Sequence, residues 1–169
     1  MIILGIDPGY AIVGYGVIEY KNNHFIALDY GAIITQAKTP FNERLEIIFD
    51  RFNEVVARNK PEVMAIEKVF YNSNAKTVID VSQARGVLML AAQKNRLPVY
   101  EYTPLQVKQS VVGYGRAEKK QIQDMTKRIL NLEKVPKPDD TADALAMAIC
   151  HAHSSASVFY GNMKIKKGI

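Results

Sequence analysis

The chain has almost no cysteine: Cys150 stands alone among 169 residues. Neither an intramolecular disulfide nor a thiolate zinc cluster can therefore form. Histidine is scarce too, and His24, His151 and His153 make no convincing triad with any serine. Cys150 has no basic neighbour to lower its pKa, so it reads as a small core residue and not a nucleophile. No apolar run approaches the roughly 20 residues of a membrane-spanning helix, and no signal-like start is visible, so no membrane partner and a cytoplasmic location are expected. Internal repeats and low-complexity tracts are missing as well. What remains is an ordinary globular composition, 48% hydrophobic and 23% charged. A chain of this length can bury about 70% of its unfolded surface and needs no covalent staples.

The net charge of +5 is unevenly spread. Lys94 to Lys137 holds 10 basic and 4 acidic residues, against 12 and 13 elsewhere. The whole excess thus comes from one stretch. That suits a polyanion, although a solvated helix face would read the same way.

The apolar pattern begins with three strand-like runs, Ile2–Ile6, Ile12–Tyr20 and His24–Ile34, joined by short links, which predicts an antiparallel meander. Thr39-Pro40 reads as a helix start, followed by Leu45, Ile48, Phe49, Phe52 and Val56 at helical spacing. Val63–Ile66 is a buried-type strand with Glu67 at its end. A second helix is expected from Asn74, carrying Val78, Val81, Leu88 and Ala91. Leu97–Tyr102 makes a fifth strand. Thr103-Pro104 opens a third helix that Gly113 closes, a fourth covers Ala117–Leu132, and a last one runs from Asp139 to His153. His151 and His153 should finish that helix, near its negative end. Strands followed by alternating strands and helices predict an α/β domain around a mixed sheet, antiparallel meander plus parallel strands, flanked by helices. The expected organisation is one domain over 1–153 and a basic, flexible tail over 154–169.

Four acids stand at the ends of these elements. Asp7 follows a strand and precedes Pro8-Gly9. Glu67 ends another strand. Asp140 and Asp143 lie three apart on a helix, so they share a face. Singly, such residues cap helices or turn chains, worth about 0.3–1 kcal/mol each. Converging, they would repel by about 4 kcal/mol per pair at 4 Å and an effective dielectric near 20. Several such pairs rival a domain's entire stability of about 5–15 kcal/mol. A convergent cluster must take up protons or bind cations. Oxygen-only ligation suits Mg²⁺ or Mn²⁺, and two such ions can clamp both oxygens of a phosphoryl displacement.

Ile3-Leu4-Gly5-Ile6-Asp7-Pro8-Gly9 followed by Gly14-Tyr15-Gly16-Val17-Ile18 resembles the opening of the RuvC family, the bacterial Holliday-junction resolvases. Ile66-Glu67-Lys68-Val69-Phe70 and Gln83-Ala84-Arg85-Gly86 resemble that family's second block. Gln106-Val107-Lys108-Gln109, Val111-Val112-Gly113 and Ala117-Glu118-Lys119 resemble the third, and Asp140-Thr141-Ala142-Asp143-Ala144-Leu145-Ala146 the last. The blocks fall in family order. The resemblance implies a ribonuclease-H-like fold, a homodimer, and divalent-metal cleavage of two opposed strands in four-way DNA junctions, with the RuvA–RuvB branch-migration complex as partner. It assigns Asp7, Glu67, Asp140 and Asp143 as catalytic, metal-binding acids for two Mg²⁺ ions per site, with Mn²⁺ able to substitute. It assigns Phe70 to base contacts and Lys108 and Lys119 to the junction backbone; Tyr71 is an alternative to Phe70, and Arg116 and Lys120, beside Lys119, are further candidate DNA-binding cations. Lys68 departs from the family's usual glutamine. The second helix, bearing Val78, Val81 and Leu88 with Gly86 permitting close approach, is the expected dimer contact, unless that face only packs on the sheet. Two rivals come from other classes: a non-catalytic junction-binding module, and the phosphate loop of actin-like sugar kinases, which need two lobes.

Overall fold

Alternating apolar residues fold the first 34 positions into a meander: β1 (Ile2–Asp7), β2 (Ile12–Lys21) and β3 (His24–Ile34), each antiparallel to the next. The β2–β3 link is Asn22-Asn23, both at positive φ (52° and 63°), the twist that a two-residue hairpin requires and that asparagine tolerates. After α1 (Phe41–Asn59), β4 (Val63–Glu67) lies parallel to β1. After α2 (Val78–Lys94), β5 (Val99–Tyr102) lies parallel to β4. The five-stranded mixed sheet has the order β3-β2-β1-β4-β5. Helices α3 (Pro104–Val112), α4 (Lys119–Ile129) and α5 (Asp139–Lys166) complete the chain. The computed structural model describes residues 1–68 and 77–166, and side chains through Ser155.

Because side chains alternate across a strand, each face of the sheet has its own core. On one face α1 and α2 pack bulky residues (Ile48, Phe52, Val55, Leu88) against Leu4, Ile6, Val17 and Ile66. On the other, α5 lies across the strands with α3 and α4 outside it. That contact is made by small residues. A Cβ on Gly5 would meet the Ala144 carbonyl at 2.0 Å, and one on Gly14 would meet the Asp140 carbonyl at 1.9 Å. Only hydrogen at both positions lets the backbone of α5 rest on the sheet.

Several local expectations need correction. Thr39 does not cap α1: the N-cap is Pro40, with no side-chain cap bond, and the Thr39 amide instead closes a turn onto Gln36. Thr103 is the cap the sequence suggests, in a reciprocal box with Gln106. The expected α2 start at Asn74 lies outside the described residues. The last helix does not stop at His153 but runs to Lys166. No proline follows Pro138, so nothing in the backbone compels an earlier end. His151 and His153 are therefore interior to α5: buried His151 bonds the Tyr102 hydroxyl through Nδ1 at 2.7 Å, and His153 approaches the Ser110 hydroxyl at 3.1 Å. Cys150 is a buried core residue as expected, and burial pushes its thiol up to about 11.

Candidate active site

The sheet alternation carries the acids to one place. Ile3 packs into the core under α5 and Gly5 lies against that helix, so Asp7, two positions on, faces the same way. Val63 and Ala65 belong to that core as well, and Glu67 continues their row. β1 and β4 are parallel neighbours paired through Ile6 and Ile66, so Asp7 and Glu67 leave adjacent strand ends side by side. Asp7 is also the register partner of Gly14 in β2, and Gly14 is where the Asp140 backbone touches the sheet. Asp143, one turn along α5, completes the group.

Asp7, Glu67 and Asp143 line one crevice of about 110 Å³, together with Lys108, Pro104, Val107, Ile122, Ala146 and Met147. Asp140 is half-buried at its edge and acts on Asp7 electrostatically. Burial and then the charges of Glu67, Asp143 and Asp140 push the Asp7 carboxyl up to about 8, with Lys119 opposing them. Burial also raises Glu67, reinforced by Asp143, and raises Asp143 despite its bond to Lys119. The Lys119 ammonium lies 2.9 Å from Asp143 and 3.7 Å from Asp139. Burial works against its charge, but Asp143 outweighs that and holds its pKa above the usual lysine value. Asp139 reaches the same group through Lys119 and acts on Asp143, while its exposed carboxylate pairs with Lys137 at 2.5 Å, which lowers its pKa. Asp140, whose backbone lies on Gly14, acts on Asp7.

Among the described residues, no three acid, histidine or cysteine side chains already form a cage for a metal ion. The donor set nevertheless fits a hard divalent cation. It is all oxygen and partly buried, and Asp7, pushed up to about 8, holds a proton it would release to a cation.

Of the expected DNA-binding residues, Lys108 lines the crevice and Lys119 enters the acid cluster. Arg116 and Lys120 are exposed beside Lys119 and are not part of the crevice lining. Phe70 and Tyr71 lie outside the described residues. The sequence reading missed the supports behind the acids. Buried Arg44 bonds the Thr35 hydroxyl at 2.9 Å and covers the Tyr10 ring at 4.9 Å, while Thr35 donates to the Tyr10 carbonyl at 2.7 Å. This knot pins the turn that follows Asp7. Nothing in helical periodicity marks a buried arginine.

Known proteins are similar to this chain. The family described as crossover junction endodeoxyribonuclease RuvC matches residues 3–151. A crossover junction endodeoxyribonuclease RuvC from Clostridioides difficile (strain 630) is 60% identical over 155 residues, 92% of each chain. The structure of Thermus thermophilus RuvC in complex with a Holliday junction substrate superposes with a TM-score of 0.87 at 36% identity, covering 92% of this chain and 94% of that one. The yeast mitochondrial Holliday junction resolvase Ydc2 has the same fold, with a TM-score of 0.71 at 16% identity, covering 99% of this chain and 86% of that one.

Proposed function

The chain belongs to the RuvC family of crossover junction endodeoxyribonucleases, and from that premise we propose that it resolves four-way DNA junctions by cutting two opposed strands at the cluster of Asp7, Glu67, Asp140 and Asp143. The observation that carries this reading is the convergence of Asp7, Glu67 and Asp143 on one crevice, where burial and then the neighbouring carboxylates push the Asp7 carboxyl up to about 8. Asp7 and Glu67 come from strand ends and Asp140 and Asp143 from a helix. Asp7, Glu67 and Asp143 thus bring carboxylate oxygens from three elements to one crevice, with Asp140 beside Asp143 on the same helix.

The chemistry that a pair of Mg²⁺ ions supplies at such a site, with Mn²⁺ as substitute, is a more acidic bound water and neutralisation of the leaving 3′ oxygen. The carboxylates would hold and space the cations, with Asp7, pushed up to about 8, giving up its proton. Lys108, at the crevice wall, holds the strand by a phosphate. Lys119 is paired to Asp143 and exchanges that partner for a phosphate as the cluster fills. Arg116 and Lys120 extend the cationic track along the backbone. Phe70 or Tyr71 stacks on an unpaired base at the opened crossover, worth roughly 1–3 kcal/mol.

Two opposed strands call for two sites and hence a homodimer. The helix α2 is the proposed contact, but not by the face that the apolar pattern favours. Leu88 is fully buried with Ala84 and Ala91 against the sheet. Ile79, Gln83, Gly86 and Leu90 recur at helical spacing on the outer side, where Ile79 is 66% and Leu90 57% exposed and a Cβ on Gly86 would meet nothing. RuvA–RuvB is the partner that the family implies, and the cytoplasm, where the DNA is, is the implied compartment. Among the described residues no helix is long and apolar enough to cross a membrane. The resolvase domain is placed at 1–153.

The test is an Asp7→Asn variant on a synthetic four-way junction. Binding is expected to persist while Mg²⁺-dependent cleavage falls by about a thousand-fold or more. Cleavage at the parental rate would refute the acid assignment. Parental and variant proteins that bind equally and never cut would instead favour a binding module.

A further inference from the structure

We propose that Arg85 of α2 is a positioning residue for Glu67, acting through the backbone from the face of the sheet opposite the acid crevice. Its Nε donates to the Glu67 carbonyl at 3.3 Å, and its terminal nitrogen pairs with the Glu101 carboxylate on β5. Arg85 is largely buried and Glu101 half-exposed, so the link stands at the sheet's margin and not in open water.

The strand register shows why Glu67 needs such a support. The β1–β4 ladder stops at Ile6–Ile66, one residue short of Glu67. On the other side β5 follows β4 to its end, with Tyr102 beside Glu67 and the Lys68 amide donating to the Tyr102 carbonyl at 2.8 Å. Glu67 is therefore paired with one strand only, at the point where the chain leaves the sheet. Arg85 adds a charged donor to that end and fastens it to β5 through Glu101, the register partner of Ile66. Val99 packs into the core under α1 and α2, so Glu101, two positions on, faces α2, while Tyr102 faces α5. The guanidinium thus touches neither the crevice nor the other acids; it sets the peptide from which the Glu67 side chain departs. The planar guanidinium spans the carbonyl and the carboxylate with two separate nitrogens held in a fixed geometry, which the single ammonium of a lysine reproduces only in part.

This inference rests on the nuclease reading for its activity arm, but its metal-binding arm does not. The full-length protein is compared with Arg85→Gln, Arg85→Lys and Glu101→Gln in three measurements: single-turnover cleavage of a four-way junction, junction affinity without divalent ion, and Mn²⁺ affinity by calorimetry. Arg85→Gln is expected to slow single-turnover cleavage about ten-fold, the scale of one charge-assisted hydrogen bond. It should weaken Mn²⁺ binding several-fold and leave junction affinity unchanged. Glu101→Gln should shift the same two quantities less, and Arg85→Lys should recover only part of the loss. Parental cleavage and Mn²⁺ affinity in Arg85→Gln would overturn the proposal, as would a loss confined to junction affinity, which would mark Arg85 as a phosphate contact. Should Arg85→Gln not fold, Glu101→Gln decides on the same readouts. A parental protein that binds Mn²⁺ but cuts no junction would sink the nuclease reading alone, and the Mn²⁺ comparison would still judge Arg85.

Discussion

The two faces of the sheet are built on different principles. Beneath α1 and α2, large side chains interlock and the helices stand off at side-chain distance, with Phe52 and Ile48 wholly buried. Beneath α5 the contact is backbone on backbone, through Gly5 and Gly14 on one side and Ala144 and Ala148 on the other. A side-chain interface can repack when one residue changes, because rotamers and neighbours give. A backbone interface cannot, since a carbonyl has nowhere to go. The acids that must be held to fractions of an ångström sit on the second kind. The face packed by α1 and α2 carries none of them.

Substitutions on the two faces should therefore part stability from activity. Gly14→Val drives a side chain into the Asp140 backbone, and its largest effect should be on cleavage, down by about a hundred-fold or more, because Asp140 and Asp143 shift together. Phe52→Ala should cost about 3–5 kcal/mol of stability and yet leave the rate per folded molecule near parental. Denaturant titration alongside single-turnover cleavage distinguishes the two. Equal loss of activity in both variants would erase the contrast.

The next effect separates the faces by pH. Folded Asp7 keeps its proton up to about pH 8, while the unfolded chain releases it near 3.8. Between these values the folded state holds the extra proton, so the metal-free protein loses stability as pH rises from about 4 to 8. Glu67 and Asp143, also raised, add to the same slope. Divalent cation should restore what is lost near pH 8, and Asp7→Asn should flatten the trend. Thermal melts across this range, with and without Mn²⁺, measure it. Phe52 carries no titratable group, so Phe52→Ala should lower the curve without changing its shape.

Strand order apart, much of this was legible. Alternation located β1 to β5, and Thr103-Pro104 and Gly113 bounded α3 because capping chemistry is local. The acids were legible as a set through their positions at element ends. Local pattern could not show that Leu88 faces inward and Ile79 and Leu90 outward, since α2 is apolar on both sides and only tertiary packing chooses. Nor could it reveal Arg44 or Arg85, whose partners are polar atoms elsewhere in the chain.

The smallest expected effect sharpens the contrast on α2. Gly86 meets open space within the monomer, so Gly86→Ala should stabilise the isolated subunit by about 0.5–1 kcal/mol through helix propensity. If α2 is the dimer contact, the same methyl group must weaken association. Chemical unfolding and sedimentation equilibrium would then move in opposite senses, and an unchanged dimer constant would remove α2 from the interface.

Glu67 is the final residue of β4, and Phe70 follows three positions later. Three residues reach at most roughly 10 Å even when fully drawn out. If Phe70 stacks on a base as proposed, that short leash ties the stacked base to the bond that is cut, within about two or three nucleotides of strand. A nuclease so tethered would sense the immediate neighbourhood of the cut and have no means of measuring a distant landmark.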